Sequence, residues 1–175
     1  MKVLGICGSR RNGNTELMVR AALEGAEKAG AETELILLRN LKIDFCGGCG
    51  LCPPKRECHV HDDMRKIYPK LFSADAVVLG TPCYFNNMSG TLKNFIDRLN
   101  PFWDDARLMN KRAVLLCVGG QGGASVEAGL RSLREFCKIE GWDILTEVGA
   151  KADRIGDLKK ADLEKCRSAG AELKK

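Results

Sequence analysis

Short apolar runs of strand length alternate with runs of helical period along the whole chain, and no other feature restricts the fold as strongly. Residues 2–7, 33–38, 74–80, 112–118 and 142–148 read as strands, and the third and fourth are largely continuous and apolar, as strands covered on both faces should be. Between them, residues 15–29 place Leu17, Met18, Ala21, Ala22 and Ala26 on one side of a helix that Gly30 stops. A second helix opens near Asp62, and a third spans 89–99 with Leu92, Phe95, Ile96 and Leu99 inward. Val126, Leu130, Leu133 and Cys137 mark a fourth, and 157–173 closes the chain. Five such β/α units with right-handed crossovers predict an α/β fold, a parallel sheet with helices on both faces.

The chain has 175 residues, 45% of them hydrophobic, enough to bury one continuous core, so residues 1–175 are expected to form one domain. Its 28 basic and 23 acidic residues are interspersed, which makes the net charge of +5 a mixed, solvated surface and points away from nucleic acid. The first apolar run is too brief for a signal peptide, and no later run reaches membrane-spanning length; a cytoplasmic location without membrane contact is expected. Nine cysteines are many for that compartment, where clustered thiols serve as metal ligands or redox groups more often than as disulfides.

In an open parallel sheet, ligands sit beyond the carboxyl ends of the strands where the strand order reverses. The first strand runs through Gly8, Ser9, Arg10, Arg11, Asn12, Gly13, Asn14 and Thr15 into a helix. Free backbone N–H groups and the positive end of the helix dipole there suit a phosphate, with Ser9, Asn14 and Thr15 as added donors. An ordinary turn with Asn14 or Thr15 as N-cap is the other reading. The third strand leads into Pro82, Cys83, Tyr84, Phe85, Asn86, Asn87 and Met88, an aromatic and amide-rich stretch suited to a flat ring. The fourth ends in Gly119, Gly120, Gln121, Gly122 and Gly123, where missing side chains let the backbone approach such a ring.

At these residues the chain resembles the NADPH-dependent FMN reductase group of flavodoxin-like proteins. The resemblance is carried by Gly8, Ser9, Arg11, Asn14 and Thr15, and by Pro82, Tyr84, Phe85, Met88 and Ser89 running into Leu92, Lys93, Phe95, Ile96, Asp97 and Arg98. It implies a flavodoxin-like three-layer sandwich with a five-stranded sheet in the order 2-1-3-4-5. It further implies FMN with its phosphate in the first loop, its ring beside Pro82–Met88 and its pyrimidine edge at Gly119–Gly123, with Gly119, Gly120, Gln121 and Gly122 as binding residues, and NAD(P)H as a possible donor.

The second strand is followed by a long loop, 39–61, too long for a mere connector. It holds Cys46, Cys49, Cys52 and Cys58, with Gly47, Gly48 and Gly50 allowing sharp folding. Three cysteines at two-residue intervals and a fourth nearby suit the corners of a [4Fe-4S] cluster. Zinc on four thiolates and unmetallated thiols are the alternatives. Lys55 and Arg56 offer positive charge beside the ligands, and His59 and His61 read as polar loop residues. Cys7, Cys117, Cys137 and Cys166 fall on inward positions and read as small core hydrophobes, while Cys83 stands alone near the expected ring.

The cysteine motif narrows the resemblance to the iron-sulfur flavoproteins. Membership implies an electron-transfer oxidoreductase that couples two-electron flavin chemistry to one-electron cluster chemistry. It also implies a redox partner such as ferredoxin, a small-molecule acceptor, and a homodimer or homotetramer. A cluster-free NAD(P)H-dependent FMN or quinone reductase is the alternative enzyme, and a flavodoxin-like carrier with a zinc loop is the nonenzymatic one. No Ser-His-Asp or Cys-His arrangement is evident, so no catalytic side chain is assigned.

Overall fold

The structure is a computed structural model and describes residues 1–52 and 55–174; Pro53 and Pro54 of the cysteine loop and Lys175 lie outside the described residues. Strands β1 (Lys2–Cys7), β2 (Glu32–Leu37), β3 (Ala76–Tyr84), β5 (Arg112–Gly119) and β6 (Asp143–Lys151) form a parallel sheet in the order β2-β1-β3-β5-β6. The two-residue β4 (Asn87–Met88) adds to it as an antiparallel partner of β3. Ignoring β4, this is the expected 2-1-3-4-5 order.

Alternation along the strands separates two cores. Leu4, Ile6, Val77, Leu79 and Leu115 face α2 (Met64–Ser73), α3 (Gly90–Asp97) and α4 (Gly123–Ile139). Val3, Cys7, Val78, Val114 and Leu116 face α1 (Asn14–Lys28) and α5 (Lys160–Glu172). The last two helices cross at near backbone contact. A Cβ on Gly25 would lie 1.9 Å from the Arg167 carbonyl oxygen, and one on Gly170 1.8 Å from that of Ala22. Cys7, Cys117, Cys137 and Cys166 are fully buried in these cores, and burial pushes the last three thiols up to about 12.

Most element ends lie within three residues of the sequence reading, and two strands differ in ways that bear on the site. β3 continues to Tyr84 instead of stopping at residue 80, because Cys83 and Tyr84 find new backbone partners in Met88 and Asn87. The connecting residues, Phe85 (φ 49°) and Asn86 (φ 58°), both take left-handed backbone, the requirement of a tight hairpin turn with the sheet's twist. Tyr84 therefore ends a strand and does not lie in a loop. β6 starts one residue later than expected, since the Trp142 amide is used at 2.8 Å by the Cys137 carbonyl to close α4. It then runs on to Lys151 beside the full length of β5.

Candidate functional site

At the carboxyl ends of β1, β3, β5 and β6 lies a cleft of about 360 Å³. The β1–α1 loop contributes Ser9, Arg11, Gly13, Asn14 and Thr15, and the end of β3 contributes Pro82, Cys83 and Tyr84. The end of β5 supplies Val118, Gly119, Gly120 and Gln121, and the segment after β6 supplies Ala152, Asp153 and Ile155. Ten of the residues singled out in the sequence thus meet in one space. Arg10, Phe85, Asn86, Met88 and Gly122 do not line it: Phe85 is fully exposed at the hairpin tip, and Met88 is buried against the core.

The Ser9 hydroxyl shapes the first loop by donating to the Arg11 carbonyl at 3.0 Å and accepting the Arg11 N–H at 3.1 Å. α1 then begins without a side-chain cap, so its first N–H groups are left facing the cleft. Asn14 donates its amide to the Arg154 carbonyl at 2.8 Å, while its own Oδ1 is buried without a partner. The first loop is held to the β3–α3 connection by Ser89. Its hydroxyl donates to the Gly8 carbonyl at 2.7 Å and accepts the Leu92 N–H at 3.2 Å, which caps α3. At the far wall a Cβ on Gly120 would lie 2.8 Å from Asp153 Oδ1, so a larger residue there would have to displace that carboxylate. The Cys83 thiol lies 3.0 Å from the Ser125 carbonyl and is satisfied within the wall.

The segment after β6 was not anticipated. It carries no glycine cluster and no aromatic to announce it; only its position after a parallel strand marked it as a site wall.

The cysteine loop stands apart from the cleft and shares none of its lining residues. Cys46 and Cys49 are exposed, Cys58 is half-buried and Cys52 is buried. Burial raises the Cys52 thiol, and the other three thiols push it further in the same direction, so the four sulfurs share one electrostatic neighbourhood. Gly48 and Gly50 take left-handed backbone, as the sharp folding of this loop requires. Among the described residues, no three His, Cys, Asp or Glu side chains are already gathered as a metal site.

Both feet of this loop rest on one cation. Arg98, the C-cap of α3, donates to the Asp44 carbonyl at 2.7 Å, to Asp62 at 2.5 and 3.2 Å, and to Cys58 Sγ at 3.6 Å. Burial would raise the Asp62 carboxyl, but the Arg98 guanidinium and the N–H groups of Asp44 and Met64 outweigh it and hold the group below its ordinary range. Asn94, one turn earlier, donates to the Ile43 carbonyl at 3.1 Å. α3 is therefore a strut, with Ser89 at the cleft and Arg98 under the cysteines, about 14 Å apart at the rise of a helix.

Residues 1–151 match the family profile described as NADPH-dependent FMN reductase. An iron-sulfur flavoprotein of Methanocaldococcus jannaschii is 37% identical over 140 residues, covering 79% of this chain and 72% of the relative. The chain belongs to the NADPH-dependent FMN reductase family, among its iron-sulfur flavoproteins. An iron-sulfur flavoprotein of Archaeoglobus fulgidus agrees, at 33% identity over 180 residues, 99% of this chain and 79% of the relative. Among solved structures, a flavone reductase superposes with a TM-score of 0.79 at 25% identity; the alignment covers 99% of this chain and 62% of that protein. As a member of this family the chain is an FMN-dependent oxidoreductase. No described helix is long and apolar enough to cross a membrane.

Proposed function

We propose that the chain holds FMN in the strand-end cleft and a [4Fe-4S] cluster on Cys46, Cys49, Cys52 and Cys58, and passes electrons between a donor and a small-molecule acceptor. The observation that carries this reading is α3, one short helix fixed by Ser89 to the cleft and by Arg98 to the cysteine loop.

The donor set of the cleft fits a phosphorylated, hydroxylated, flat molecule. The uncapped start of α1 offers N–H groups to a phosphate, with Ser9 and Thr15 beside them. The orphaned Asn14 Oδ1 is an acceptor, which matches a sugar-alcohol hydroxyl rather than a second phosphate oxygen. Tyr84 and Pro82 offer an apolar wall, and the backbone of Gly119 and Gly120 leaves room for a ring edge. On the cysteine loop, four thiols within one electrostatic neighbourhood are the donor set an iron-sulfur cluster takes.

Bound there, the flavin would supply two-electron chemistry and the cluster one-electron transfer, each by its own nature. The protein's part is to orient and insulate. Ser89 fixes the cleft walls, Asp62 and Arg98 fix the loop, and the Arg98 N–H aimed at Cys58 offsets negative charge on that sulfur. In this reading NAD(P)H or a carrier such as ferredoxin is the donor, and the active form is a homodimer or homotetramer in the cytoplasm.

A cluster-free NAD(P)H-dependent reductase is the second reading, favoured by the exposure of Cys46 and Cys49 at the surface of the loop. Replacing Cys49 with Ser separates the two. The first predicts that the variant, purified without oxygen, loses iron and broad visible absorption while keeping its flavin; an unchanged spectrum favours the second.

A further inference from the structure

A second concavity, of about 450 Å³, lies between the C-terminal ends of α3 and α4 and shares no residue with the cleft. Its walls include Ile96 and Asp97 of α3, Phe136 and Ile139 of α4, Cys46 and Gly48 of the cysteine loop, and Trp103, which is 59% exposed. Glu140 also lines it. That residue is only 4% exposed, and its Oε2 has no hydrogen-bond partner among the described residues.

A bare carboxylate is costly at this position. Burial raises the Glu140 acid, and the charge of Asp104 raises it further. Glu140 is also the C-cap of α4, where the helix carbonyls present their negative end. The nearby cations are committed elsewhere: Arg56 pairs with Asp104, Lys93 with Asp97, and Lys138 with Glu135. Among the described residues, the groove thus holds one negative charge lacking a counterion, beside an exposed aromatic ring whose face attracts cations.

We propose that this groove binds a small organic cation, an ammonium or amidinium on an apolar body, with its charged head at Glu140 and its body against Trp103 and Ile139. The inference goes beyond the flavin and cluster reading; it concerns Glu140 and Trp103 and assigns no role to Cys46 and Gly48, which also line the groove.

Benzylammonium is a suitable probe, with benzyl alcohol and benzoate as neutral and anionic controls of similar size. Each is titrated into the protein as purified, followed by calorimetry and tryptophan emission. The chain has two tryptophans, and Trp142 is buried with its indole N–H on the Leu108 carbonyl, so an emission change that Trp103→Phe removes reports on the groove. Benzylammonium is expected to bind at least about tenfold more tightly than benzyl alcohol, because a charge-assisted contact to a desolvated carboxylate is the stronger one. Benzoate is expected not to bind, and Glu140→Gln should erase the preference. Equal affinity for ammonium and alcohol in the unaltered protein overturns the proposal, whatever the variant does. So does a preference that survives in Glu140→Gln, or an emission change that survives in Trp103→Phe.

Discussion

Arg98 and Asp62 form a two-pronged pair at 2.5 and 3.2 Å with both side chains only 1% exposed, joining the end of α3 to the far foot of the cysteine loop. Removing one partner leaves the other charge buried and unanswered. Arg98→Met is therefore expected to cost about 3–5 kcal/mol in urea unfolding. The double variant Arg98→Met, Asp62→Leu should recover part of that loss. Equal destabilisation by the single and double variants would show that the charge pair is not what holds the loop.

Ser89 tests the other end of the strut. Its hydroxyl caps α3 and binds the Gly8 carbonyl, so Ser89→Ala removes a cap and leaves a buried acceptor open. The expected loss is about 1–2 kcal/mol of stability. A weaker FMN affinity by fluorescence titration should accompany it, because the first loop is no longer fixed to the β3–α3 connection. Unchanged affinity would separate that contact from the cleft.

The crossing of α1 and α5 has no slack. Gly170→Ala places a methyl group 1.8 Å from the Ala22 carbonyl oxygen, a backbone atom that cannot rotate away. The helices must separate, at a cost of about 1–3 kcal/mol or more. Thermal unfolding of this variant beside the control Gly90→Ala, whose added methyl would meet nothing within 4 Å, checks the claim.

Glu140 gives stability a pH dependence. Its acid is raised by burial and by Asp104, so the folded chain keeps this proton to higher pH than the unfolded chain does. The contribution is complete below the ordinary glutamate value of about 4.3 and is lost as pH rises through the folded value. Glu140→Gln lacks this loss and should gain in Tm relative to the parent as pH rises from about 4.3 toward neutrality. Parallel Tm curves for the two proteins would contradict it.

The strands and helices were readable because their periods are local properties: residues 3–7 and 113–118 are apolar throughout, and the inward residues of α4 recur at helical spacing. The three loops after β1, β3 and β5 were readable because small residues, aromatics and amides interrupt those periods. What escaped depends on distance in the fold. Asp62 and Arg98 meet across 36 residues of chain, and neither neighbourhood shows the other. Asp153 and Ile155 look like ordinary connecting residues until β6 is placed beside β5. The hairpin through Phe85 and Asn86 was hidden because its turn lacks the glycine that usually marks one.

In the proposed function one chain carries both redox groups, joined by α3. Flavin, iron and acid-labile sulfide per chain, measured on protein purified without oxygen, test it most directly. The expected result is about one FMN with about four irons and four sulfides. Colourless protein that does not take up added FMN would contradict the whole account, and yellow protein whose cysteine loop holds zinc or no metal would contradict the assignment of the cluster.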